Sequence, residues 1–463
     1  MLASVAILLL GVSTASASAD GDWSLHKMTA AAESKGARCL DGSPAAYYLR
    51  QPLAAPPAGS RPFVVFMEGG GWCLESSCLS RAGTDLGSST NYPAVPGGME
   101  GGGLYAEFAT ATVIYMKYCD GGSFTGNADA PVTFPGSTQK IYYRGRRILD
   151  ALFEELLDSR GLSTATELLF AGCSAGALTT YVHADYVSTL MARRVPGAKT
   201  VALADAMFSL HHDAFPANPS NYYTNQFKWG FTAWNSSASI NQKCLAAYSG
   251  SSANASSAWV CFHGAVAAQF VTTPLFIANS KYDTWQERGV LGLNTTECTS
   301  HVALDGTVTL CNGTSPDARA QEKFWLAYGD AMVAALNDVS KRHAAFLVNC
   351  PTHCQSDPTG WRHPAFPGTQ LGAAVKQWYP QALANLENSS WVAPRWVARD
   401  GDKCLVPATP PTPPAACHGP KNSSTNCASD FGGGNHPCPS MAQPLCAGFV
   451  QGKAWGHCCA RSY

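Results

Sequence analysis

Apolar residues along this chain fall into short runs separated by glycine, proline and asparagine, and the runs alternate between two periods. Continuous apolar segments at 46–50, 62–67, 112–116, 168–171, 200–204, 273–278 and 344–348 have the length and punctuation of buried strands. Between them lie segments with helical spacing. Within 142–161, Ile148, Leu149, Leu152, Phe153, Leu156 and Leu157 share one face, and Gly161 supplies a stop. Residues 175–193 and 324–342 read as further helices. Strands alternating with helices predict a doubly wound, mostly parallel α/β sheet. The stretch from 206 to about 264, rich in Asn, Ser and Trp, predicts a long loop with short helices that covers a site as a lid.

Composition adds a compartment and excludes one class of partner. The chain has 463 residues, room for one large domain and something small. Its net charge of −1 and 14% charged residues give no basic surface for nucleic acid. Residues 1–19 pair an apolar centre, Val5 to Val12, with small residues suited to cleavage near Ala17 or Ala19, which predicts a signal peptide lacking the usual early basic residue. No later run reaches membrane-spanning length. Eighteen cysteines and six N-x-S/T sequons, at Asn235, Asn254, Asn294, Asn312, Asn388 and Asn422, fit an oxidising, secretory route. Irregular cysteine spacing argues against zinc, so no metal and no cofactor are expected. After Cys404 the composition breaks. Residues 406–416 form a proline-rich linker, and 417–463 carry six cysteines, predicting a small disulfide-rich module after a catalytic domain at 20–405. That module suits either a carbohydrate- or matrix-binding appendage or a stabilising terminus. A monomer is expected.

Candidate chemistry centres on 172–176, Gly-Cys-Ser-Ala-Gly, between a predicted strand and a predicted helix. A G-x-S-x-G turn there lifts a serine out of the sheet, and the N–H of Ala175 at the helix start faces a developing oxyanion. A serine hydroxyl needs a base to take its proton, and the imidazole needs a carboxylate to hold its tautomer. Asp283 lies just past the strand at 273–278 and is the favoured acid, with Asp205, at the end of 200–204, as the runner-up. His353 follows the strand at 344–348 on the same edge. His343 precedes that strand, His301 sits in a polar loop, and His363 is a minor candidate. A Cys350–Cys354 bridge would stiffen the His353 loop, and Cys73 and Cys78 are close enough to close a small loop of their own. Cys173, beside the serine, is expected in a disulfide or as a buried thiol. The glycine run after 62–67 places the N–H groups of Gly70 and Gly71 as further oxyanion donors. Trp72 lines a pocket or joins the core, and Asp120 and Phe124 border a cleft or cap a turn. His211, His212 and Asp213 read as solvated loop residues rather than metal ligands.

Five blocks together carry a resemblance. FMEGGGWC (66–73), YCDGGSFTG (118–126), AGCSAG (171–176), NSKYDTWQ (279–286) and THCQ (352–355) resemble the signature stretches of the pectin acetylesterase family, which also contains the Notum carboxylesterases. The similarity runs in matching order from about Cys39 to Cys404. It implies an α/β-hydrolase fold with a triad on Ser174, Asp283 and His353. Two features depart from the pattern: Ala177 stands where a glycine is usual, and the tail after the linker lies outside it. The resemblance implies a secreted serine carboxylesterase that releases acetate from acetylated cell-wall polysaccharide. The alternatives are Notum-like removal of a fatty acyl group from a protein, and a non-catalytic extracellular binding protein.

Overall fold

Each of the seven apolar runs is a strand of one nine-stranded sheet in the computed structural model, which describes residues 23–404 apart from 98–102, 218–221, 250–256, 295, 304, 363, 367–368 and 400. The expected signal peptide, linker and cysteine-rich module lie outside the described residues. In chain order the strands are β1 (Trp23–Lys27), β2 (Ala46–Arg50), β3 (Pro62–Met67), β4 (Thr112–Met116), β5 (Glu167–Cys173), β6 (Lys199–Asp205), β7 (Leu275–Ser280), β8 (Ala344–Val348) and β9 (Arg395–Val397). Their spatial order is β1-β2-β4-β3-β5-β6-β7-β8-β9. The ladders β1·β2 and β2·β4 are antiparallel, and all six others are parallel. This is an α/β-hydrolase-type sheet.

Alternation along the central strands divides the core in two. Phe63, Val65 and Met67 of β3 join Leu168 and Phe170 of β5 on one face, whereas Val64, Phe66, Leu169 and Ala171 face the other. The first face is covered by helices α1 (Gly145–Ser159), α2 (Ala175–Arg194) and α3 (Pro316–Ala335), through residues such as Leu152, Leu178 and Trp325. The second is covered by α4 (Leu371–Ala384), whose Trp378 meets Phe276 of β7 at 5.2 Å between ring centroids. Both faces are buried, so the strands read as continuous apolar runs rather than alternating ones.

Three differences from the sequence reading have local causes. The helix expected at 324–342 begins eight residues earlier, where Ser315 Oγ accepts the N–H of Ala318 and Pro316 fills the first turn, and it ends at Ala335. Edge strands β1 and β9 were not expected, because five half-exposed residues and a three-residue segment carry little pattern. The Cys350–Cys354 pairing is corrected: Cys350 joins Cys404, and Cys354 joins Cys173. A bridge within five residues could stiffen only its own turn, whereas the observed pairs fasten the loop to two other elements. The remaining disulfides among the described residues are Cys39–Cys119, Cys73–Cys78, Cys244–Cys261 and Cys298–Cys311.

Candidate active site

The parallel strands all end at one rim, and the loops leaving β3, β5, β7 and β8 meet there. Between β5 and α2 the backbone turns through Ser174 at φ 58°, ψ −123°, a conformation that costs a non-glycine residue on the order of 1–3 kcal/mol. Its surroundings compel the turn. A Cβ on Gly172 would run into the backbone of Gly176, and one on Gly176 would run into the carbonyl of Met67. Ser174 N–H donates to the Asp205 carbonyl at 2.9 Å, and the Ser174 carbonyl accepts from Leu178 N–H at 3.0 Å.

Ser174 Oγ lies 2.9 Å from His353 Nε2, and His353 Nδ1 lies 2.9 Å and 3.0 Å from the two carboxylate oxygens of Asp283. Asp283 is buried and also accepts the N–H groups of Trp285 and Gln286, each at 2.9 Å, as the N-cap of Thr284–Gly289. Those bonds fix its oxygens before the imidazole arrives. Burial opposes a charge on His353, but the charge and hydrogen bond of Asp283, with a smaller push from Asp205, outweigh it and hold the imidazole above its ordinary pKa.

Asp205, the second acid considered, takes a different place. Its Oδ2 accepts the N–H groups of Gln355 and Ser356, both at 2.7 Å, and so clamps the chain just beyond His353. Burial pushes this carboxyl up to about 7 against those hydrogen bonds. Cys173, Asp205 and Cys354 offer ligand atoms within 4.8 Å of one another, but the two sulfurs are bonded together and have no thiolate to give a metal. His343 is fully buried with Nε2 3.1 Å from the Val271 carbonyl, at the far end of β8. His301 is exposed in a two-residue strand, and His363 lies outside the described residues.

The glycine loop after β3 stands over Ser174. Gly69 approaches so closely that a Cβ there would press on Cys173 and Ser174, and Gly71 adopts φ 64°. Among the described residues, the N–H groups of Gly70 and Gly71 meet no hydrogen-bond acceptor, and Ala175 supplies the first, intrahelically unpaired N–H of α2. The loop's carbonyls are held instead. Arg81 Nη2 donates to Gly70 at 2.8 Å and to Trp72 at 3.2 Å, and Tyr118 Oη donates to Gly71 at 2.8 Å. Trp72 Nε1–H donates to Ser123 Oγ at 2.8 Å, which in turn donates to the Ala175 carbonyl at 2.7 Å, joining loop to elbow.

A cavity of about 590 Å³ opens on this group, lined by Gly69, Gly70, Gly71, Ser174 and His353 together with aromatic rings. Trp72 is both core and lining: it is buried and packs on Tyr223, Phe227 and Trp285 at 5.1–5.5 Å. The lid expected at 206–264 contributes Tyr222 and Gln226 to the wall from helix Tyr222–Ala233. Of the two roles open to Asp120 and Phe124, cleft border and turn cap, Asp120 fills the second. Both residues are buried away from the cavity, and Asp120 Oδ2 accepts Gly122 and Phe124 N–H, so it caps a turn. His211 is exposed but stacks edge-on against Trp259, and His212 packs on Phe324 and Tyr328. Arg81, Tyr118, Ser123 and the clamp of Asp205 were missed: Arg81 acts on backbone carbonyls 9 and 11 residues away, which carry no side-chain identity, and the partners of the others lie far along the chain.

Fold and rim together define a member of the α/β-hydrolase class. Within it, the family model described as Pectinacetylesterase matches residues 17–393, and the chain belongs to that family. It is 28% identical over 364 residues to Pectin acetylesterase 11 of Arabidopsis thaliana, covering 75% of this chain and 85% of that one. Pectin acetylesterase 4 of the same plant is 30% identical over 339 residues, 71% and 76% of the two chains. Palmitoleoyl-protein carboxylesterase notum1' of Xenopus laevis is 25% identical over 416 residues, 86% and 75% of the two chains. These relatives are esterases by name, which supports hydrolysis of ester bonds here.

Proposed function

We propose that this protein is a secreted serine carboxylesterase that removes acetyl groups from cell-wall polysaccharide, pectin above all, through an acyl-enzyme. The observation that carries the reading is the hydrogen-bonded series Ser174–His353–Asp283 opening onto a cavity beside the unpaired N–H groups of Gly70 and Gly71. In this mechanism Ser174 Oγ attacks the ester carbonyl while His353 Nε2 takes its proton. The oxyanion is received by the N–H groups of Gly70, Gly71 and Ala175, an arrangement worth about 10²–10³ in rate per donor in comparable sites. His353 then passes that proton to the departing sugar oxygen, which leaves as a hydroxyl, and Asp283 steadies the imidazolium in between. Water repeats the sequence on the acyl-enzyme and releases acetate. All of this uses side chains and backbone alone.

The relatives at 28% and 30% identity are acetylesterases by name, which supports a short acyl group. Trp72, which lines the cavity with Ser174, is buried ring against ring with Tyr223 and Phe227, with Phe262 and His263 behind them. Secretion is supported, among the described residues, by six disulfides and by four exposed sequons, at Asn235, Asn294, Asn312 and Asn388. Among the described residues no helix is long and apolar enough to cross a membrane.

The test is a chain-length series of p-nitrophenyl esters, with acetate release from acetylated pectin, on wild type and Ser174→Ala. Turnover greatest at acetate and lost in Ser174→Ala is expected. Turnover peaking at long chains would give the Notum-like alternative instead, and absence of serine-dependent turnover would leave a binding protein.

A further inference from the structure

The disulfide Cys173–Cys354 joins the residue immediately before Ser174 to the residue immediately after His353, across a sequence separation of 181. Its half-cystines both line the cavity, as Ser174 and His353 do. We propose that this bond is a positioning element of the reaction: it sets the distance between nucleophile and base, rather than serving only to staple the fold. The inference rests on the acyl-transfer reading above.

The construction of the His353 loop argues for it. Residues 349–357 contain no regular element, so no helix or ladder hydrogen bonds fix the backbone at His353. The loop is tied at its start by Cys350–Cys404 and by Ser280 Oγ donating to the Cys350 carbonyl at 2.6 Å. Beyond His353 it is tied by Asp205 to Gln355 and Ser356. The first tie refers the loop to β7 and to Cys404, the second to the end of β6. Asp205 reaches the turn that carries Ser174 through one hydrogen bond, its carbonyl accepting Ser174 N–H, whereas Cys354 is joined covalently to Cys173, the last residue of β5, which shares its backbone with the elbow. The imidazole itself is held by hydrogen bonds to Asp283 and Ser174 and by the Trp285 ring, 6.2 Å away between centroids. Freed from Cys173, the backbone at 353–354 gains latitude of the size that misplaces a base, and a displacement near 1 Å costs about 10²-fold in rate.

The experiment compares wild type with Cys173→Ala/Cys354→Ala, measuring kcat, KM and the pH profile of kcat/KM on p-nitrophenyl acetate. Expected is a fall in kcat of about 10–100-fold, with KM changed by less than about threefold. The acid limb of the profile should also move toward the ordinary imidazole value as the Asp283 pairing loosens. A structural staple would lower melting temperature but leave that limb and kcat in place, and that result would overturn the proposal. Should the double variant fail to fold, folded wild type is treated with a water-soluble phosphine and the opened cysteines are mapped by alkylation and mass spectrometry. Loss of kcat in step with opening of Cys173–Cys354, regained on reoxidation, is expected; full kcat with that bond open would overturn it. Wild-type protein without Ser174-dependent turnover would instead remove the catalytic reading, and this inference with it.

Discussion

Ser174 and His353 stand 2.9 Å apart, yet the segments that carry them are held by different means. The elbow is backbone work. A seven-residue strand runs into a twenty-residue helix, and glycines at 172 and 176 let Met67, Ser174 and the helix start approach at distances no side chain allows. The His353 loop has no such frame and is assembled from tethers: two disulfides, the Asp205 carboxylate and the Asp283 hydrogen bonds. The elbow should therefore fail all at once when its backbone is disturbed. The loop should lose function by degrees, one tether at a time.

Gly176→Ala sharpens the first half of that comparison most severely. The new methyl would overlap the Met67 carbonyl, and neither backbone can yield without moving β3 or the start of α2. Expected is loss of more than about 10³ in kcat/KM, or loss of folded protein, since two elements would shift at once. Near-normal activity would show that the elbow is more pliant than its geometry implies. On the loop side, Asp205→Ala leaves two buried N–H groups unpaired, at about 1–3 kcal/mol each. A drop in melting temperature and about 10–100-fold in kcat is expected, with the protein still folded. A loop that kept full kcat without the carboxylate would not be assembled from tethers in the sense argued above.

A milder effect is expected at the glycine loop, which shares features of both regions. Because the peptide is trans, fixing the Gly70 carbonyl on Arg81 aims the Gly71 N–H the opposite way. Arg81→Met should free that peptide and lower kcat by about tenfold, less than deletion of a donor outright. KM should hold, because Arg81 acts here on the backbone. A rise in KM at constant kcat would instead assign Arg81 to substrate binding.

The same division explains what was legible in the sequence. The elbow was readable because everything it needs is local: an apolar run, two glycines and a helix within 28 residues, 166–193. Asp283 and His353 could be picked out because each lies shortly past a strand on the active rim, a rule of topology rather than of spacing. The tethers were not readable. Cys354 has Cys350 as its near neighbour in sequence but Cys173, 181 residues away, as its partner. Nothing in the chain marks Asp205 as a clamp, since its acceptors' partners at 355 and 356 are backbone groups without sequence identity. Asp120 misled for the related reason that a loop after a strand holds binding groups and turn caps alike, and burial decides between them.

The smallest effect concerns pH, where the two regions should fail in opposite directions. On the elbow helix α2, His183 is fully buried. Desolvation, aided by the charge of Arg146, lowers its pKa to about 3 against the bond to the Phe124 carbonyl. An imidazole depressed in the folded state contributes stability above its unfolded value near 6.5, and this is lost as pH falls toward 3. Beneath the loop, Asp205 is raised to about 7 by burial. A carboxyl raised in the folded state contributes stability that is complete below its unfolded value near 4 and is lost as pH climbs through 7. Asp120 and Glu287, also raised to about 7, and His263 and His343, lowered to about 3 and 4, add to the two sides and flatten the profile between about 4 and 6.5. Single substitutions uncover each side by difference. Followed by calorimetry from pH 4 to 8, the melting temperature of wild type should fall relative to that of Asp205→Asn as pH rises, because only the wild type loses the Asp205 contribution there. In the same way, it should fall relative to that of His183→Gln as pH falls. A constant offset across the range in either variant would mean that its group does not titrate in the way its burial requires.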